Sequence, residues 1–458
     1  MMKHIINIIL ALGLVLFVVS CGGDDKDKGE KKVAYIQYYN ASPDSTKTYL
    51  SLKKKKYSSI NFGQSTSRYA VAVGDNKLSV TGNNSENKEV KFHEQDINLY
   101  NKDNHLYILA GNYAKTDFID IKYNRDKLDE ENKKKVNVDK KIIKMQVLAA
   151  HVSSGSQKFG IYIGKKVDGF GSAKYLSEIA YKGMTESEIL TTGKYVVYLT
   201  EAGGNEPVFT TTEIDFKAKT VYKLLIRPAF GPSATGVKLD VVGHARTVPS
   251  FADINEKVQL RVYNGFEKND KVEAKFNGKK GELHQQEVAK WGLSSFILTN
   301  FGDYDVTVSD VSTGNVLLNN LLVTYNQSDS KSILLYPDST DKLKATVVGH
   351  KLTPRSYQYQ LQLLNLASET KGLEVYFVRE NETVETAKFK ITKWNFTKNL
   401  KIWLPKGSYT VTVVKKGDND TLNLLHRQEL TLKDNLDYTL VLTPDETQTW
   451  GYRLMAFQ

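Results

Sequence analysis

The chain has 458 residues, a formal charge of +11 and one cysteine. A lone thiol excludes an intramolecular disulfide, so the domains must be held by hydrophobic cores, which units near a hundred residues can supply. With 26 tyrosines, 9 prolines and no long period-3.6 pattern, the composition points to an all-β protein rather than a helical one.

The first segment is an address. Lys3 and His4 form a short basic region, and residues 5–19 are apolar apart from Asn7 and Gly13. A membrane-spanning helix needs roughly twenty apolar residues, so this run has the length of a signal-peptide core instead. It ends in Val18-Val19-Ser20-Cys21-Gly22, which resembles the lipobox of bacterial lipoproteins. The resemblance implies a signal peptide over 1–20, cleavage before Cys21, and lipidation of Cys21. Several acyl chains, at about 0.8 kcal/mol per buried CH₂, would hold the chain on a membrane. Residues 21–32 contain no aromatic or β-branched residue after the cysteine and read as a flexible, lipid-anchored tether. The expected location is the bacterial cell envelope. Gly22 in place of an aspartate after the cysteine resembles outer-membrane sorting. No later stretch is apolar enough to span.

Beyond the tether the same strand order recurs four times. Opening strands start near Val33, Met145, Val258 and Leu361, at intervals of about 100 to 113 residues, a sandwich-domain length. Second strands follow at Thr48-Tyr49-Leu50, Gly160-Ile161-Tyr162, Val272-Glu273-Ala274 and Leu373-Glu374-Val375. An aromatic residue beside a small or polar one comes next: Phe62-Gly63, Tyr181-Lys182-Gly183, Trp291-Gly292 and Trp394-Asn395. A glycine turn then opens an alternating strand, with tyrosine two residues on: Gly193 and Tyr195, Gly302 and Tyr304, Gly407 and Tyr409. The first unit keeps Gly74 without the tyrosine. Such a tyrosine can bury its ring while its hydroxyl bonds nearby backbone, the logic of a tyrosine corner. Closing strands carry an identical Val-Val-Gly-His, ending on His244 and His350.

Six or seven alternating strands per unit predict four tandem immunoglobulin-like Greek-key β-sandwich domains over 33–125, 142–247, 257–352 and 358–458. Residues 126–141 lie in the most highly charged stretch and are expected to be a linker. With extended linkers, four such domains in line would reach on the order of a hundred ångströms.

After the first strand, Asn40-Ala41-Ser42-Pro43-Asp44 resembles the hallmark of the bacterial envelope domain of unknown function 4397. Asn264-Gly265 and Asn365-Leu366-Ala367-Ser368 keep fragments of it. The resemblance implies extracytoplasmic sandwich repeats, often on lipoproteins, and brings no catalytic residues. Physically the motif is turn chemistry: proline restricts φ while asparagine and aspartate bond local backbone.

Chemistry is sparse. The histidines show no metal-ligand spacing, and neither a nucleophile elbow nor a phosphate-binding glycine loop is present. No enzymatic activity, cofactor or metal is expected, and no specific nucleic acid. Asp418 and Asp420 read as a hairpin tip, with a weak calcium site as the other reading. The collective feature is basic: Lys53, Lys54, Lys55 and Lys56, Lys165 and Lys166, and Lys279 and Lys280 follow the second strand of three units. These are candidate polyanion contacts, or else gatekeepers that keep hairpins soluble and block edge pairing. The expected function is a non-enzymatic envelope lipoprotein projecting sandwich modules for structural, adhesive or ligand-binding roles. Its expected partners are the membrane through the N-terminal lipid, anionic envelope polymers, glycans or another envelope protein. The alternative is a carbohydrate- or protein-binding subunit of a surface complex, with Trp291 and Trp394 as exposed platforms, although core packing suits those tryptophans better.

Overall fold

The structure, a computed structural model, describes residues 32–84, 87–134, 142–279, 281–433 and 436–458. The signal segment, Cys21 and most of the tether lie outside the described residues. The fold is all-β, 57% strand and 3% helix, arranged as tandem immunoglobulin-like sandwiches.

The first unit sets the pattern. Its strands are β1 (Val33–Asn40), β2 (Thr48–Leu52), β3 (Lys55–Lys56), β4 (Tyr69–Ala72), β5 (Gly74–Asn83), β6 (Glu89–Leu99), β7 (Asn104–Asn112) and β8 (Lys115–Tyr123). One sheet runs β4-β1-β7-β8 and the other β3-β2-β5-β6. β1 and β7 are parallel, with Tyr38 opposite Tyr107, whereas the other neighbours are antiparallel. The same parallel pairing recurs between Lys144–His151 and Val221–Pro228, Val258–Asn264 and Ser330–Pro337, and Gln358–Asn365 and Tyr438–Pro444. Among the described residues the first, third and fourth units have eight strands each rather than six or seven. Several are too short to show as alternation in sequence.

Each unit has its own core. In the third, Val262, Phe276, Val306 and Ile333 come from both sheets, as inward positions of alternating strands should. The corner tyrosines behave as expected. The hydroxyls of Tyr195, Tyr304 and Tyr409 donate to the carbonyls of Thr191, Asn300 and Pro405 at 2.9, 2.7 and 2.8 Å. In the first unit, buried Asn76 takes the neighbouring role, donating from Nδ2 to Gly74 O at 2.8 Å.

The units are not strung in line. A buried cluster joins Tyr39, Leu106 and Ile108 of the first unit to Leu148, Leu225 and Val242 of the second. Another joins Tyr263, Leu334 and Val348 of the third to Leu364, Val441 and Phe457 of the fourth. In both seams the sheet carrying the parallel pair lies against its counterpart in the next unit. The parallel-paired strands are therefore largely buried on both faces and lose alternation: every residue from Asn104 to Gly111 is buried. An extended row, one arrangement open to four such domains, gives way within each of these pairs to packed sheet faces.

The charged segment between the first two units also holds structure. Helix α1 (Asp126–Glu131) buries Leu128 in the first seam. Just past the helix, Asn132 accepts from Lys144 N at 2.9 Å and donates to Lys144 O at 3.2 Å, which ties the segment to the second unit's opening strand. Residues 135–141 of this segment lie outside the described residues.

Candidate functional site

The turn after β1 makes one wall of a cleft between the first and fourth units. Fully buried Asn40 accepts at Oδ1 from Ser42 N at 2.9 Å and donates from Nδ2 to Ser45 Oγ and Thr48 Oγ1 at 2.8 and 3.1 Å. Such an Asx turn supplies inside one side chain the bonds that a sharply reversing backbone loses. The equivalent residues are Asn264 and Asn365, accepting from Phe266 N and Ala367 N at 3.1 Å each. His151 does the same in the second unit, its Nδ1 accepting from Ser153 N at 3.3 Å. Asp44, the last residue of the motif, has a different task. Its Oδ1 accepts from Tyr113 N and its Oδ2 from Ser356 Oγ, both at 2.7 Å, which ties the first unit to the segment entering the fourth. Tyr113 and Tyr357 meet edge to face at 5.4 Å beside this bridge.

The facing wall comes from the fourth unit. Strand Asn399–Pro405 alternates, placing Lys401 and Trp403 on the outward side, and Trp403 is 44% exposed. The Arg355 guanidinium lies 5.1 Å from the Trp403 ring centroid and its Nη2 donates to Asp437 Oδ2 at 3.3 Å. Amide side chains of Asn61, Asn83, Asn84, Asn87 and Gln358 complete the rim, with Tyr49 beneath Lys56 Nζ at 4.1 Å. The cleft has a volume of about 500 Å³. The end of β5 is held there: Thr46 Oγ1 donates to Asn83 O at 3.0 Å, and Tyr113 Oη to the same carbonyl at 2.7 Å. What it offers is hydrogen-bonding capacity around an aromatic plate.

The tryptophans singled out from sequence do not form this site. Trp394 is fully buried in the fourth core, its Nε1 donating to Leu363 O and Lys398 O at 3.2 Å each. Trp291 sits in a left-handed turn (φ 56), its ring flanked by Lys290 Nζ at 4.9 Å and the Arg453 guanidinium at 4.8 Å. Nor do the two tryptophans occupy matching positions. The backbone N–H groups that bond the carbonyl closing each opening strand belong to Gly63, Lys182, Trp291 and Thr397. All four have positive φ, so Thr397, not Trp394, is the counterpart of Trp291. Trp403 was not among the tryptophans picked out from sequence; the signal that could have found it is period-2 alternation, which places it beside Lys401 on the polar face.

The candidate lysines are placed as follows. Lys53 and Lys54 form the turn between β2 and β3, and Lys55 and Lys56 are β3 itself. Lys165 precedes a short 3-10 turn, Lys166–Asp168, between the second and third strands of the second unit. Lys279 follows strand Lys271–Gly278, and Lys280 lies outside the described residues. The described members of this set are exposed, and Lys53, Lys54, Lys165, Lys166 and Lys279 sit in the same inter-strand connection of three units. Lys56 is already paired with Glu89.

His244 and His350 face inward. Burial, reinforced by Lys223, Arg68 and Arg125, brings His244 down to about 3. Burial, with Arg261 nearby, brings His350 down to about 4, and its Nε2 lies 2.6 Å from Ser332 Oγ. Both rings are neutral at physiological pH. Asp418 and Asp420 fall in a 3-10 turn, and among the described residues no three His, Cys, Asp or Glu side chains gather as a metal set. Among those residues no helix is long and apolar enough to cross a membrane.

No protein-family profile and no curated protein matches the chain. Solved structures similar to it include the Bacillus anthracis TIE protein, 10% identical, covering 91% of this chain and 75% of that one, with a TM-score of 0.18. The BcpA major pilin subunit of Bacillus cereus is 13% identical over 66% of this chain and 97% of its own, with a TM-score of 0.14. A tetra-tandem repeat from the extending region of a large adhesion protein is 8% identical over 88% and 99%, with a TM-score of 0.10. At such TM-scores the similarity carries no argument about function.

Proposed function

We propose that the chain is a non-enzymatic envelope lipoprotein, tethered through Cys21, whose paired sandwiches present a ligand-binding, adhesive surface. The observation that carries this reading is the cleft between Asp44 and Trp403. It is built from segments more than three hundred residues apart, held by the Asp44 to Ser356 bond, and lined by groups able to bind rather than to catalyse. Folding the units together gives up reach and creates a composite surface that no single sandwich has. The lipobox-like segment supports placing that surface on a membrane, since acylation would make attachment effectively permanent.

Two variants displayed on cells test this. Cys21→Ala should move the protein from the membrane fraction to the soluble fraction and abolish acyl labelling. Trp403→Ala should stay in the membrane fraction and lose the attachment to surfaces that the unaltered chain confers. Continued acyl labelling of the first variant overturns the tether. Attachment unchanged by the second, or absent from the unaltered chain, overturns the adhesive cleft.

A further inference from the structure

We infer that the cleft between the first and fourth units binds a neutral oligosaccharide, with Trp403 as the stacking plate and the amides of Asn61, Asn83 and Asn87 reading its hydroxyls. The inference rests on the ligand-binding reading above and names the class of ligand.

A pyranose has a C–H face and a rim of hydroxyls, each both donor and acceptor. The C–H face suits an aromatic ring that is flat, partly exposed and held still. Trp403 is 44% exposed, and Arg355 backs its ring at 5.1 Å. The hydroxyl rim suits carboxamides, because each amide carries two N–H donors and an acceptor oxygen in one plane. Asn83 Nδ2 donates to Asn87 Oδ1 at 2.8 Å, a single bond that uses only part of what the pair can offer.

Charge argues for a neutral ligand. Asp44 is engaged by Tyr113 N and Ser356 Oγ, and Arg355 by Asp437. That leaves Lys47 on the lining, with Lys401 next to Trp403 and Lys56 already paired with Glu89, too little for a polyanion that needs many such contacts. A protein partner would call for a desolvated apolar anchor pocket, and five amides on one rim are the opposite of that. Anchoring of Asn83 by Thr46 and Tyr113, and of Ser356 by Asp44, lowers the ordering cost of taking up a flexible sugar chain. A volume of about 500 Å³ lies in the range of small-molecule sites.

The test uses the full chain in detergent micelles on an array of immobilised neutral and acidic oligosaccharides, followed by calorimetry with the best neutral hit. Trp403→Ala should weaken that binding about tenfold or more through loss of the ring face, with thermal unfolding unmoved. Asn87→Ala, on an exposed turn, should weaken it less. Salt at about 0.5 M should leave it unchanged, because no screened charge pair is involved. An array without neutral hits, or binding untouched by both variants, overturns the inference. Retention confined to acidic glycans and lost in salt also overturns it and assigns binding to the exposed lysines. If neutral sugars fail while Trp403→Ala still abolishes cell attachment, the ligand class falls and the adhesive cleft stands.

Discussion

The seam between the first two units and the seam between the last two use the same sheet faces and are sealed by different chemistry. In the last two units the closure is mainly apolar, through Leu334, Val348, Leu364 and Val441, with Tyr263 Oη 3.3 Å from Thr443 Oγ1. Arg261, itself buried, lies 4.1 and 4.9 Å from the ring centroids of Phe296 and Phe457, and donates to Ser332 Oγ at 2.9 Å and across the seam to Gln458 O. The first seam has apolar residues too, but its polar bonds converge on one buried carboxylate. Tyr39 Oη donates to Asp240 Oδ2 at 2.6 Å, and Arg227 Nε donates to the same oxygen at 2.8 Å. Close by, fully buried Lys223 donates to Gln37 Oε1, Val221 O and Gly243 O at 3.3 Å each. Apolar area holds two sheets together over a range of offsets, whereas a shared carboxylate accepts one register. The repeat therefore supplies the sticky face, and individual polar residues decide how two faces are set.

The strongest way to break this comparison is Asp240→Ala. Leaving Arg227 buried without its carboxylate should cost about 3 to 5 kcal/mol in the first two units, read by urea unfolding of the full chain. A loss below about 1 kcal/mol would show that the polar bonds are incidental to the seam. In the other seam, Leu334→Ala should cost about 2 to 4 kcal/mol through the cavity it leaves, with the third and fourth units unfolding together. Should they separate into two transitions, the shared cluster is only a contact between finished domains.

The most selective effect is on pH dependence. Burial first, then Arg68 and Arg125, lowers Lys223 to about 7. Between pH 7 and the unfolded lysine value near 10.5, the unfolded chain holds a proton that the folded chain does not. Stability of the first pair should therefore rise with pH across that window, by at most about 1.4 kcal/mol per unit, and be lost as pH falls toward 7. The groups around it stay out of the way: His244 titrates near 3, and burial holds Tyr123 above the usual tyrosine range. Lys223→Met should flatten the slope, and the last two units should show no counterpart. A slope that survives the substitution assigns the titration elsewhere.

Local sequence determined a good deal of this protein. Gly407 followed by Tyr409 marks a corner whose hydroxyl bond forms within five residues, and the Asn40 turn closes within eight. Such features are legible because both partners lie in one short window. The continuous apolar run of Val147, Leu148, Ala149 and Ala150 was also a readable sign of a strand covered on both faces, although not of what covers it. Trp291 and Trp394 misled because they share a residue type and an approximate place, while the turn geometry that defines equivalence puts Thr397 opposite Trp291. The pairing of units, the bond from Tyr39 to Asp240 and the cleft between Asp44 and Trp403 join residues hundreds of positions apart. Alternation and turn chemistry repeat in every unit, so they specify a sandwich four times over. They carry no information about which exposed face meets which. Only the tertiary structure decided that, because the choice depends on a few buried polar groups finding partners across the chain.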